Sequence, residues 1–424
     1  MSGGRLTHRT GSLVLAAGIV ALEFAAAVTG FVGSTLLPIV TVDLDAKSDL
    51  GLLIAGSSLG LFVALPLASR VLGRLGARGT LAAGMLAYLG GLVLAATART
   101  AWMFALGQFS SGLASGLLAV FGISSAIRHL DERLRLRVVA ASSAMWIVPA
   151  LVGPAATLGL EHLVGWRWTL LLPIPFVLFG RLLVVRAVRD DPPAEAARPL
   201  GRTLLVPLGA AVVVLSTGSW PVALVGAAIT VAGMIAILPA GTARLRPGTP
   251  AALGAMVLFA IGYFGADSLI TVLLTSGFHL GLGQAAIVLS AAPLGWAVTS
   301  LLAAQFTSAR RFPVAGLSIT ALGTAVLAVA LAVGGSFAVV LAAWAVAGIG
   351  VGLAYPGLYI RATTAGASGF TATELATAVI TAECIGQLLG RAIGGTLSSA
   401  GGLLGAYVLF AVALLAAAGA ARRT

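Results

Sequence analysis

Residues 69–78 read Ser69-Arg70-Val71-Leu72-Gly73-Arg74-Leu75-Gly76-Ala77-Arg78. Apolar runs at 49–69 and 80–98 flank this stretch. Each is close to the ~20 residues that an α-helix needs to cross about 30 Å of hydrocarbon. Arginine is costly inside that hydrocarbon, so the two runs read as membrane spans and the ten residues as a tight basic turn outside it. A second turn of this kind, Ala309-Arg310-Arg311-Phe312-Pro313, separates runs at 282–305 and 314–333.

The pattern extends along the whole chain. Runs at 13–37, 101–127, 138–160 and 168–188 complete a first set of six. Runs at 251–274, 337–360, 371–397 and 402–421 complete a second. Two shorter runs, 203–218 and 221–240, lie between the sets. Composition agrees: 59% of the 424 residues are apolar and 9% are charged, too few to clothe a soluble core. Mean hydropathy is +1.08. The apolar runs are too long for the alternating strands of a membrane β-barrel. The expected fold is an all-α polytopic membrane protein with bundles at 1–188 and 251–424 and a linker hairpin at 189–250. It has fourteen spans, or twelve if the hairpin does not cross.

Several chemistries are excluded by inventory. Cys384 is the only cysteine, so there is no intramolecular disulfide and no thiolate cluster. His8, His129, His162 and His279 are scattered, and no metal site is expected. Lys47 is the only lysine and lacks a glycine-rich lead, so no ATP loop exists. Gly56-Ser57-Ser58-Leu59-Gly60 matches a hydrolase elbow in letters, but it lies in mid-span without strand or partner residues. An enzyme is not expected.

The net charge of +12 is distributed as a topology signal and does not point to nucleic acid. One side collects Arg5, Arg9, Arg70, Arg74, Arg78, Arg128, Arg133, Arg135, Arg137, Arg181, Arg186, Arg189, Arg198 and Arg202. It continues with Arg244, Arg246, Arg310, Arg311, Arg361, Arg422 and Arg423. The other side has Lys47, Arg99 and Arg167. Both termini are therefore expected in the cytoplasm, in an inner (plasma) membrane, with anionic lipid head groups as partners. Duplicated six-span units suit alternating access about a midplane site.

On these residues the chain resembles the major facilitator superfamily over nearly its whole length. Arg74, Gly76 and Arg78 match that family's helix 2–3 signature; Gly73 stands where the family has Asp. The resemblance implies a gating role for Arg70, Arg74 and Arg78, beside the plainer reading of a positive-inside turn. Gln108 stands where many relatives have a proton-linked arginine, and glutamine cannot titrate. Val152-Gly153-Pro154 resembles the Gly-Pro core of the antiporter signature, and a mid-helix proline bends a helix. Gly165-Trp166-Arg167-Trp168 is similar to the opening of the sixth helix in multidrug exporters; it also reads as an interfacial belt with both Trp at head-group depth. The central hairpin is similar to the fourteen-helix drug/proton antiporter branch.

Charges within spans need a reason. Glu23, Asp267, Glu383 and Arg391 are these. Glu23 and Asp267 lie in the first run of each set, and in the resembling family those helices face the central cavity. A carboxylate desolvated there is suited to taking up and releasing protons. The alternative is a neutral acid that only fastens helices. Asp267 is the expected coupling residue, Glu23 its partner in substrate recognition, and Glu383 the next candidate. Trp146, Tyr263, Tyr355 and Gln387 are cavity candidates, the aromatic ones for stacking or cation–π contact. Arg391, eight residues beyond Glu383, is ~12 Å away along the axis and out of direct reach.

The expected function is proton-coupled export of amphipathic cationic or neutral small molecules by a monomer, with the proton gradient in place of any cofactor. A lipid translocase and a nutrient uptake carrier of the same fold are the alternatives.

Overall fold

The computed structural model describes residues 3–46, 50–187, 201–216, 219–305, 312–365, 369–399 and 402–424. Lys47, Arg189, Arg198, Arg310, Arg311 and the expected 188/189 boundary lie outside them, as does the side chain of Pro154. Among the described residues the structure is helical, with no strand. Ten helices are long and apolar enough to cross a membrane, and two shorter apolar helices accompany them.

The chain clusters into two compact units. Unit 1 holds Met1–Val138, Val148–Gly233 and Thr371–Thr377; unit 2 holds Val139–Ile147, Met234–Phe370 and Ala378–Thr424.

Unit 1 opens with α1 (Gly3–Asp43), followed by α2 (Leu50–Ala96) and α3 (Ala101–His129). Helix α2 is two arms joined at Gly76, whose φ of 65° and ψ of −177° only glycine adopts without strain. Helicity thus runs on through Arg70 and Arg74, and the reversal is confined to one residue rather than the whole basic stretch. Helix α3 lies between the arms. A Cβ on Gly56 would sit 2.8 Å from the Ala105 carbonyl oxygen, and one on Gly91 would sit 2.6 Å from that of Gly107. Gly112 and Gly116 meet Ser57 and Ala64 in the same way. With no hydrophobic drive between helices in lipid, such small residues permit the close packing that holds them. The Gly-x-Ser-x-Gly match is part of this seam, inside α2.

Helix α4 (Glu132–Met145), which belongs to unit 2 from Val139 onward, is followed by α5 (Ile147–Val164), and helicity is interrupted at Trp146. The short α6 (Trp166–Thr169) precedes α7 (Ile174–Ala187), which packs antiparallel on α1 at Gly18–Val184 and Gly180–Leu22. Helices α8 (Leu205–Leu215) and α9 (Trp220–Ile237) form the central hairpin, interlocked at Gly209–Thr230 and Gly226–Val213. At 1.5 Å per residue α8 is about 16 Å long, half a bilayer, whereas α9 reaches about 27 Å.

Unit 2 repeats these pairings in α10 (Thr249–Val272), α11 (Leu282–Ala303), α12 (Phe312–Val333), α13 (Phe337–Ala362), α14 (Ala372–Ser399) and α15 (Leu403–Ala421). Helix α13 packs on α11 through Gly348 against Ala292, and on α12 through Gly316 and Gly350. That repeats α3 between the arms of α2. Helix α15 packs on α10 at Gly262 and Gly265, which meet Phe410 and Leu414, as α7 packs on α1. Duplication of the arginine turns in sequence is thus duplication of helix pairing in space.

Candidate functional site

Asp267, Glu383, Arg391 and most of the aromatic candidates fall in unit 2, where α10, α13 and α14 meet. The α10–α14 seam explains the assembly. A Cβ on Gly386 would lie 2.6 Å from Ala260 Cβ, one on Gly390 would lie 3.0 Å from Gly265 N, and one on Gly394 would lie 3.1 Å from Leu269 Cγ. Glycine every fourth residue therefore presses α14 onto α10. The stripe Glu383, Gln387, Arg391 has the same four-residue spacing and flanks that seam.

Glu383 accepts a hydrogen bond from the Tyr355 hydroxyl, 3.2 Å from Oε1 and 3.1 Å from Oε2. Tyr355 is 28 positions away in sequence and belongs to α13. Its ring lies 5.5 Å from that of Trp296, 5.7 Å from Tyr359 and 6.0 Å from Phe259. Glu383, Gln387, Tyr355 and Trp296 are half-buried. The indole N–H groups of Trp296 and Trp344 and the hydroxyl of Thr381 are buried without a hydrogen-bond partner.

Tyr263 departs from its expected role. Its ring is stacked on Phe259 at 5.8 Å and on Trp344 at 5.7 Å, with interplanar angles of 8° and 7°. Both faces are covered and the residue is 2% exposed, so it braces the cluster and offers no face to a ligand. Its sequence position could not reveal that, since the second face is supplied by α13.

Asp267 is exposed on unit 2, and a carboxylate at this depth has to face water or a polar partner rather than hydrocarbon. Arg391 is close enough for its charge to act on Asp267, and Tyr263 and Tyr407 feel the Asp267 charge in turn. The Tyr407 hydroxyl donates to the Ala266 carbonyl at 2.9 Å. Arg391, out of direct reach of Glu383 along its own helix, thus acts on Asp267 across the glycine seam. The ladder at 386, 390 and 394 was the signal that a helix would lie there; which helix it was could not be read from it.

The remaining candidates belong to unit 1, apart from Trp146. Glu23 is half-buried on α1, next to the edge-to-face pair Phe24–Phe176 at 5.3 Å. Gln108 is wedged between α1 and α2: its Nε2 is 3.8 Å from the Cβ position of Gly33, and its Cβ is 3.0 Å from that of Gly56. Gly153 approaches Phe31 of α1, with 3.3 Å between Cβ positions. Trp146, at the break between α4 and α5, is 44% exposed and clusters with unit 2. Arg74 and Arg78 are exposed and Arg70 is half-buried.

The Trp-Arg-Trp segment differs from a belt. Trp168 is 69% exposed, but Trp166 is buried at 5% and packs edge-on against Phe104 at 6.2 Å. Arg167 lies 4.2 Å over the Trp166 ring, pairs with Asp43 at 3.0 Å and donates to the Ala98 carbonyl at 3.2 Å. The segment bolts together the ends of α1, α2 and α6, and one tryptophan of the two remains for an interface.

Two units of repeated helix pairing, ten helices of membrane-crossing length among the described residues and charged groups within such apolar helices define a polytopic transport protein. The chain belongs to the Major Facilitator Superfamily, whose family model matches residues 19–365. It is 27% identical over 449 aligned positions to a Mycobacterium tuberculosis protein named "Probable multidrug-efflux transporter Rv1634", covering 96% of this chain and 93% of that one. A shorter match, 22% identical over 179 positions, is to the "Multidrug efflux pump SdrM" of Staphylococcus aureus, covering 42% of this chain and 40% of that one. Among solved structures, the E. coli fucose:proton symporter FucP superposes with a TM-score of 0.67 at 16% identity, over 98% of this chain and 99% of that one. The proton:xylose symporter XylE superposes with a TM-score of 0.64 at 13% identity, over 97% and 94%. These two likenesses establish the fold. The protein is a multi-span membrane transporter.

Proposed function

We propose that this transporter exports amphipathic cationic or neutral small molecules from the cytoplasm in exchange for protons, with both termini cytoplasmic. The observation that carries the reading is the grouping, within one unit, of two membrane-embedded carboxylates with an aromatic cluster. A carboxylate can hold a proton or a cation, and aromatic walls tolerate varied apolar substrates. The likeness to a named multidrug-efflux transporter over 96% of the chain supports export, as does the Gly153-Pro154 signature. Asp267 is assigned to proton coupling and Glu23 to a second recognition carboxylate. Gln108, which carries no charge, leaves coupling to the acids.

The test is dye accumulation in cells carrying this protein or an empty membrane, with and without an uncoupler. Lower accumulation that the uncoupler abolishes is the expected result; accumulation equal to the empty control would refute export. Asp267→Asn keeps the shape and removes the proton site. It should abolish uphill export while downhill exchange remains, and retained pumping with unchanged pH dependence would transfer the coupling role to Glu383.

A further inference from the structure

Glu383 of α14 is met by a side chain from another helix, Tyr355 of α13. Its carboxylate is met by a hydroxyl that sits almost equidistant from both oxygens, at 3.2 and 3.1 Å. A phenol has one proton, so it satisfies one oxygen at a time, and both distances are long for an O–H···O bond. The same ring is one wall of an aromatic group whose other members, Trp296 and Tyr359, lie within 5.7 Å of it. Glu383, Trp296 and Tyr355 are each half-buried, so none of the three is sealed in the core. A carboxylate against electron-rich ring faces is a binding site for an organic cation, above all one too bulky for a tight ion pair.

We propose that Glu383, Tyr355, Trp296 and Tyr359 form the subsite that takes the cationic group of the substrate, an aromatic or alkylated ammonium, and that the Tyr355 hydroxyl is displaced from the carboxylate when the cation enters. The proposal deepens the export reading and rests on it. It gives Glu383 substrate recognition where Asp267 has coupling. The two acids have different described neighbours: the Tyr355 hydroxyl of α13 meets Glu383, and the charge of Arg391 of α14 acts on Asp267.

The experiment measures equilibrium binding by fluorescence anisotropy to the full-length protein in detergent. The probes are ethidium and its uncharged parent, 3,8-diamino-6-phenylphenanthridine, which share one ring system. Wild type should bind ethidium roughly tenfold more tightly than the parent, the scale of one charge-assisted, ring-lined contact. Glu383→Gln should remove that preference, weakening ethidium about tenfold and leaving the parent within about twofold. Glu383→Asp, which keeps the charge, should retain part of the preference and covers the case in which Glu383→Gln does not fold. Tyr355→Phe keeps the wall and removes the competing hydroxyl, so ethidium should bind a few-fold more tightly. Trp296→Ala should weaken both probes.

Equal affinity of wild type for the two probes, or an ethidium preference that survives Glu383→Gln, would overturn the subsite. Tyr355→Phe weakening ethidium as much as Glu383→Gln does would overturn the displacement step. None of these results touches the export reading, because uncoupler-sensitive dye efflux by the wild type would persist. Loss of efflux for every dye would refute that reading instead.

Discussion

Replacing Gly386 by alanine tests whether the α10–α14 seam holds the site together. The added Cβ would lie 2.6 Å from Ala260 Cβ and 2.7 Å from the Val257 carbonyl oxygen, where ordinary contact begins at 3.4 Å. Both neighbours are fixed by backbone, so the shortfall of about 0.8 Å falls on the helix pair and cannot be absorbed by a rotamer. Overpacking of this kind costs about 1–3 kcal/mol, against about 0.5–1 kcal/mol gained by exchanging glycine for alanine within a helix. Taken at the middle of both ranges, the net expectation is a loss of about 1 kcal/mol. Gly395, on the same helix, is the internal control, because a Cβ there meets nothing within 4 Å. Gly395→Ala should therefore gain about 0.5–1 kcal/mol from helix propensity alone. The assay is thermal unfolding of the purified protein in detergent, read as the fraction that stays monodisperse after each heating step. Gly386→Ala should melt below the wild type and Gly395→Ala at or above it. Ethidium affinity should fall only in the first, since Glu383 is three residues away on the displaced helix. A Gly386→Ala protein as stable as the wild type, or a common shift of both variants, would refute the seam argument.

Two further outcomes follow from the geometry of unit 1 and of the connecting loops. Trp166→Ala should destabilise by about 3 kcal/mol because it empties a buried site against Phe104, whereas Trp168→Ala should stay within about 0.5 kcal/mol; equal effects in the same melt would contradict the inward and outward assignment. On a background lacking Cys384, a cysteine at position 162, whose native side chain is 83% exposed, should react with an impermeant maleimide in whole cells. A cysteine at the exposed position 243 should react only after permeabilisation, and the reverse pattern would overturn the orientation.

Much of this protein was legible as sequence. The spans, the arginine turns that mark the duplication and the four charges inside spans follow from hydropathy and charge, which are properties of each residue's transfer into lipid and need no neighbour. Segment ends were less legible. Gly76 carries the turn alone, because a single left-handed glycine can stop a helix that arginine does not. The 138–160 run is broken at Trp146 for a reason that hydropathy does not register.

Partners were decided by the tertiary structure. Tyr355 meets Glu383 across 28 residues, Tyr263 is closed between Phe259 and Trp344, and the charge of Arg391 acts on Asp267 of another helix. Trp166 turns inward and Trp168 outward, although the two are separated by one residue. Each outcome depends on how far a helix is rotated about its axis and which neighbour it touches. In a chain apolar on every face, hydropathy leaves that rotation open. The glycine seams constrain it, because where one backbone lacks a Cβ the facing helix can approach closely enough to bring distant side chains together.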